Sequence, residues 1–341
     1  MKETQKPSHV TIVGAGLAGL AMAIMLERES VAFDVYEMRE PDAAHAIGGS
    51  VVLSPNALRL IEDLGFFERL IGMPWQELIT FDEQLNVKSK YFLGSERLYG
   101  YDALRIVRQT LIEAMKNILQ ERGVYQRIHW NSKLKRILTD DSNGVEFELG
   151  NSDRHRTDIL IGSDGIDSCV RRHVAPDVKS EYAGYFMCLS YIATSALRLP
   201  PEKEQYRYKP MLIQCKSGGM QISAQREDGS ECFCLRQFHY SEQDAAGWKA
   251  LGNNKRKLLD MFKSNYGEFP DVVNSAIDAS TEEGMALWPI YTIPRERWAS
   301  QSGRVVLIGD AAHAIPPAVR GQDTSTSSKS KLMIPRRQDK E

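Results

Sequence analysis

The sequence predicts an α/β fold in which a parallel sheet is interrupted by a mostly antiparallel insertion. Three observations predict it. A β-branched strand runs into a glycine turn and a helix near residue 14. Two later apolar strands end at Asp164-Gly165 and Gly309-Asp310. Residues 182–295 read as a succession of strand-like runs broken by one helical run.

The first element is "HVTIV", residues 9–13, β-branched and apolar as a buried strand requires. "GAGLAG" follows, with Gly14, Gly16 and Gly19 in GxGxxG spacing, and then the helix-forming "LAMAIMLERES". "FDVYE" supplies a second strand ending at Glu37. Each part has a physical task. Gly14 permits the tight turn, Gly16 lets a pyrophosphate approach the backbone, and Gly19 lets helix and strand pack closely. The helix start offers free N–H groups and the positive dipole end to phosphates. Glu37 stands about 20 positions beyond the glycine turn, where a carboxylate can accept from a ribose hydroxyl. Such an acid repels a 2′-phosphate, so the motif disfavours NADP here and leaves NAD and FAD open.

Composition sets the outer limits. The 341 residues suffice for two domains, and 42% hydrophobic with 26% charged residues is a globular balance. A formal net charge of -2 argues against a nucleic-acid partner held by bulk electrostatics. Five cysteines form no even disulfide framework and no CxxC pair, which fits a reducing, cytoplasmic setting, and Cys232 and Cys234 read as two small buried residues of one strand face. The apolar run Leu20 to Leu26 follows a glycine turn and ends in Glu27-Arg28-Glu29, so it reads as a buried helix rather than a signal peptide. No stretch is long enough to span a membrane.

The other two motifs are "DILIGSDGIDSCVRR", Asp158 to Arg172, and "GRVVLIGDAAHAIPP", Gly303 to Pro317. In both, a carboxylate, Asp164 or Asp310, sits just past the carboxyl end of an apolar strand, where open α/β sheets bind ligands. Taken alone, Asp164 and Asp310 are also ordinary turn residues.

GxGxxG with Glu37, DGxxSxVR and GDAAHxxxP, in that order over Gly14 to Pro317, resemble the single-component flavoprotein monooxygenases, the para-hydroxybenzoate and salicylate hydroxylase group that also includes tetracycline-inactivating and fungal secondary-metabolite enzymes. The resemblance implies a Rossmann-like FAD-binding domain of the GR2 type, built from residues 1–181 and 296–322, with a substrate domain at 182–295. It implies FAD as cofactor, NADPH or NADH as transient reductant, and dioxygen as the source of an oxygen atom given to a small aromatic or alkene-containing molecule. It places Glu37 at the adenosine ribose, Asp310 at the ribityl chain, Arg108 at the pyrophosphate, and Asp164 near both the pyrophosphate and the reductant. It sets Gly49 and Ser50, in "IGGSVVLSPNALRLIEDLG", nearest the flavin, although Ser54-Pro55 in that stretch is equally an ordinary helix start. His313 is a structural member of its motif, and no catalytic acid or base can be named.

The insertion contains "YFMCLSYIATS", "MLIQC", "MQISAQ", "ECFCLRQFHY" and "MALWPIYTI", with the helix "NKRKLLDMFKSNYG". Tyr185, Met187, Met220, Phe238 and Trp288 are pocket candidates for which core packing is the simpler role. Relatives of this kind often carry an arginine where "YAGYFMCLS" has Leu189. After Gly321-Gln322 the resemblance predicts a further glycine and a long helix, whereas Asp323 and a Ser- and Lys-rich stretch follow. Residues 323–341 therefore read as a disordered, non-family tail. On this reading a truncated chain holds FAD poorly. An inactive flavoprotein homologue and a flavin-dependent dehydrogenase or reductase of the same cofactor fold are the competing functions.

Overall fold

The computed structural model describes residues 7–41, 49–294 and 297–315. Its organising element is a five-stranded parallel sheet: β1 (His9–Val13), β2 (Ala32–Tyr36), β3 (Ile128–His129), β4 (Ile159–Gly162) and β5 (Val305–Leu307), in the order β5-β4-β1-β2-β3. β1 pairs in parallel with β2 on one side and β4 on the other, which places the two later strand-end motifs beside the glycine turn. A parallel sheet is covered on both faces, and β1 is buried along nearly its whole length.

One face is covered by α1 (Leu17–Arg28) with α3 (Arg108–Glu121), α2 (Pro55–Asp63) lying between them in sequence. Ile12, Leu20, Ile24, Phe33, Ile112 and Leu119 form the centre of that core. The other face is covered by an antiparallel meander, Leu134–Asp141, Gly144–Leu149 and Arg154–Thr157, through Val145, Phe147 and Leu149. The short helices α4 (Cys169–Val174) and α5 (Asp310–His313) follow β4 and β5.

The second body is a seven-stranded sheet in the order Ala286–Thr292, Glu181–Ala193, Glu231–His239, Gly218–Ala224, Met211–Cys215, Glu77–Phe81, Val87–Phe92. All five strand-like runs expected in the insertion are strands of this sheet. It is antiparallel except where Met211–Cys215 runs parallel to Glu77–Phe81. The last two strands precede residue 182, so the sheet recruits chain from ahead of the insertion. Three helices, Ala245–Asn253, Lys255–Phe262 and Asp271–Asp278, stand where one was expected. Two of them cap with Asp244 and Asn254, whose side chains accept from the N–H groups of Gly247 and Lys257.

The sheet has two apolar faces. The helices cover one, with Met220, Phe186, Cys232 and Cys234 in its core. The opposite face carries Met187, Leu189, Phe233, Leu235 and Ile290. The five pocket candidates therefore do not converge. Met220 and Phe238 belong to the helix-covered side, Met187 and Tyr185 to the other, and Trp288 is half exposed. A small fourth sheet, Ser50–Leu53, Ala103–Val107 and Met73–Trp75, lies against that second face. Among the described residues no helix is long and apolar enough to cross a membrane.

Candidate dinucleotide site

The glycine turn is shaped by what its glycines exclude. Gly14 has φ +102°, and a Cβ there would lie 2.5 Å from the Ser163 carbonyl oxygen. A Cβ on Gly19 would lie 1.9 Å from the Gly14 carbonyl oxygen, so α1 sits on the turn at a distance only glycine allows. A Cβ on Gly16 would meet nothing within 4 Å. Gly14 and Gly19 are thus needed by the protein's own packing, whereas Gly16 is bare on the side that faces open space. Gly16 is also the N-cap of α1 and brings no side-chain cap, which leaves the first-turn N–H groups free to bind an anion.

The open space is a cavity of about 430 Å³. Gly14, Gly16, Glu37, Arg108 and Asp164 line it, together with Arg39, Lys133 and Arg172. Glu37 is buried at the carboxyl end of β2. Its Oε2 accepts the Ala15 N–H at 2.8 Å and its Oε1 the Arg39 N–H at 3.0 Å. Two backbone donors fix the carboxylate, and each oxygen retains acceptor capacity for a hydroxyl.

Arg108 opens α3, and its N–H donates to the Gly49 carbonyl at 3.2 Å. Burial lowers the pKa of its guanidinium, Asp310 opposes that shift, and Arg39 adds to it. Arg108, Arg39 and Asp310 therefore share one electrostatic neighbourhood at the mouth of the turn. Two cations beside a helix N-terminus suit a diphosphate.

Asp164 lines the same cavity, and its carboxylate is held by the start of α4. Its Oδ2 accepts from the N–H groups of Cys169 (2.6 Å) and Val170 (3.2 Å), and its Oδ1 from the Ser168 hydroxyl (2.5 Å). Ser168 caps α4 in turn, accepting the Arg171 N–H at 2.8 Å. The buried Arg171 then donates from Nη1 to the Ala311 carbonyl at 3.1 Å and from Nη2 to Ile166. The DG motif is thus a chain of hydrogen bonds ending on the GDAAH motif. Ser163 ties the same strand end to the glycine turn, donating to the Val13 and Gly14 carbonyls, both at 2.9 Å. Replacing Ser168 with Ala removes the cap and is expected to lower stability by about 1 kcal/mol. An unchanged urea midpoint at unchanged slope would show the cap to be idle.

Two expected site residues lie further off. The Ser50 hydroxyl donates to Gln225 Oε1 at 2.8 Å, fastening the small sheet to the seven-stranded one. Gly49 adjoins it and holds Arg108 as described. Pro317, Gly321, Gln322 and the tail from Asp323 lie outside the described residues. Lys133 and Arg172 have no motif of their own. The only signal for Arg172 was its place beside Arg171, and Lys133 was visible only as a cation after a strand.

Comparison with known proteins agrees with this geometry. Residues 7–322 match the family described as FAD binding domain. The kynurenine 3-monooxygenase of Salinispora tropica is 25% identical over 92% of this chain and 69% of that protein. The salicylate hydroxylase of Pseudomonas putida is 28% identical over 93% of this chain and 74% of that protein. The crystal structure of Klebsiella pneumoniae HpxO complexed with FAD and uric acid shares the fold, with a TM-score of 0.72 at 18% identity over 90% of this chain and 73% of that one. The two relatives of known activity are a monooxygenase and a hydroxylase, which disfavours a dehydrogenase or reductase. The chain belongs to the FAD binding domain family and, within it, to the FAD-dependent monooxygenases.

Proposed function

We propose that this chain takes electrons from NADPH or NADH and places one oxygen atom of O2 into a small aromatic or alkene-containing molecule of secondary metabolism, in the cytoplasm. The observation that carries the reading is the 430 Å³ cavity, with Glu37 fixed by two backbone donors, Gly16 bare, and Arg108 and Arg39 beside an uncapped helix start. These residues fit FAD. Glu37 would accept from the adenosine ribose, the α1 N-terminus and Arg108 would hold the pyrophosphate, and Asp310 would meet the ribityl chain, with Gly49 and Ser50 along the flavin. Asp164 would act at the pyrophosphate by fixing the start of α4. When bound, the flavin supplies the hydride acceptance and oxygen activation that no side chain can. The protein's share is to orient the substrate and exclude water from the reacting face. Residues 1–181 with 296–322 would carry the cofactor, and 182–295 would cover the substrate.

The test is oxygen-18 incorporation. The purified, FAD-loaded chain is given NADPH or NADH, labelled O2 and a panel of phenols, aryl acids and alkenes. One labelled oxygen atom in a product supports the reading. Oxidised product without label would reassign the chain to dehydrogenation.

A further inference from the structure

Among the described residues three arginines are buried, Arg105, Arg171 and Arg236, each about 5% exposed or less. Two of them donate to main-chain oxygens, and of their buried polar atoms only Arg171 Nε is left without a partner. Arg171 donates to the Ala311 and Ile166 carbonyls, and Arg236 to those of Phe262 and Ser264. Arg105 differs. Its Nε and Nη2 have no hydrogen-bond partner, and no carboxylate pairs with it. Burial pushes its pKa down only to about 10, so it is charged at neutral pH.

The surroundings explain what is left of it to use. The guanidinium stacks at 5.0 Å on the Trp75 ring and at 4.8 Å on the Phe233 ring. Stacking occupies the faces of the planar ion and leaves its edge. Nε and Nη2 together make one edge, the side-on fork that grips a carboxylate with two parallel bonds. Arg198 uses that same pair on Asp271, with distances of 2.8 to 3.0 Å. A third buried donor without a partner, Trp75 Nε1, belongs to one of the stacked rings. Three buried donors without hydrogen-bond partners, two on Arg105 and one on a ring it stacks on, are costly unless an acceptor meets them, and the titratable side chain that acts on Arg105 is Tyr191, a phenol rather than a carboxylate.

The location is the seam between the small sheet and the seven-stranded sheet. Ala103, Arg105 and Val107 share one face of their strand, and Val107 pairs with Ser50, whose hydroxyl crosses to Gln225. At about 3.3 Å per residue, Arg105 stands roughly 7 Å along the strand from the position opposite Ser50. Phe233 places it on the sheet face that carries Leu189 and Leu235.

We infer that Arg105, held between Trp75 and Phe233, is the anion anchor of the substrate site and selects a substrate bearing a carboxylate. The inference rests on the flavin reading above, which puts Gly49 and Ser50 beside the reacting ring. It deepens that reading by naming the substrate's charged group.

The test uses the full chain, with its FAD content measured first. Benzoate, 2-naphthoate and indole-3-acetate, each beside its neutral amide, are titrated calorimetrically into the protein and into Arg105→Met and Arg105→Lys. At least one carboxylate is expected to bind on the order of tenfold or more tighter than its amide, as a charge-assisted bidentate pair implies. The ratio should fall to near one in Arg105→Met and keep an intermediate value in Arg105→Lys, which retains the charge without the fork. A purely structural role would change the folding of both variants without changing the carboxylate-to-amide ratio of what remains folded. Equal binding of acids and amides, no binding of any acid, or undiminished selectivity in Arg105→Met would each overturn the inference. Absence of FAD would speak against the flavin reading, while the titration would still judge Arg105.

Discussion

Gly19→Ala is expected to abolish most FAD retention and to destabilise the chain, whereas Gly16→Ala should cost affinity alone. The difference follows from where a methyl group would go. At Gly19 it would lie 1.9 Å from the Gly14 carbonyl oxygen and 2.6 Å from Ser163 Oγ. Neither atom can retreat easily. The carbonyl belongs to the turn, and Ser163 is held by two hydrogen bonds to the same backbone. Helix α1 must lift off the turn, and overpacking of this kind costs roughly 1–3 kcal/mol. The lift also moves the helix N-terminus away from the place proposed for the phosphates. At Gly16 the methyl would meet no protein atom within 4 Å, so the fold should tolerate it. It would instead stand in the cavity between the backbone and the cofactor. Urea unfolding and flavin content measured on both variants separate the two effects. Equal stability losses, or full FAD content in Gly19→Ala, would show that the turn does not work as described.

The second large effect is expected at Glu37. Glu37→Ala removes the proposed ribose acceptor and also orphans the Ala15 and Arg39 N–H groups that the carboxylate now satisfies. The loss of a charge-assisted hydrogen bond is about 1.5–3 kcal/mol, which is about ten- to hundred-fold in affinity. Equilibrium titration with FAD reads it directly. Unchanged affinity would mean that the adenosine half lies elsewhere.

The parts of this protein that could be read from residues are those where local geometry demands one residue type. The GxGxxG turn is an example, because positive φ at Gly14 and backbone contact at Gly19 admit nothing else. The strands of the insertion were legible from their β-branched and aromatic runs. The helices of 245–278 were legible only in part. "NKRKLLDMFKSNYG" contains one of three, and the signals for the breaks were the caps Asp244 and Asn254. Asn254 ends one helix and starts the next at φ -83°, ψ 73°.

What could not be read depends on long-range pairing. Nothing local in Glu77–Phe81 says that it will run parallel to Met211–Cys215 across more than a hundred intervening residues. The meander Leu134–Thr157 covers the rear of the parallel sheet, a role visible only once that sheet is assembled. Asp164 stands just past the end of β4, as its motif suggests, but its carboxylate is engaged by Ser168, Cys169 and Val170, partners set by the fold of the turn that follows. Arg105 lies three positions before Arg108 in "LRIVRQ", but it belongs to the strand Ala103–Val107 whereas Arg108 opens α3, so the two reach different surroundings. Its rings come from Trp75 and Phe233, two distant segments.

The central claim is that the cavity between Gly14, Glu37 and Arg108 receives the adenosine diphosphate half of FAD. The most direct measurement is an equilibrium competition on the flavin-stripped chain, with FAD binding followed by flavin fluorescence in the presence of ADP, NAD or NADP. The account predicts that FAD binds, that ADP displaces it, and that NADP competes least because its 2′-phosphate meets the Glu37 carboxylate. FAD binding that ADP leaves untouched, or that NADP displaces as well as ADP does, would contradict it.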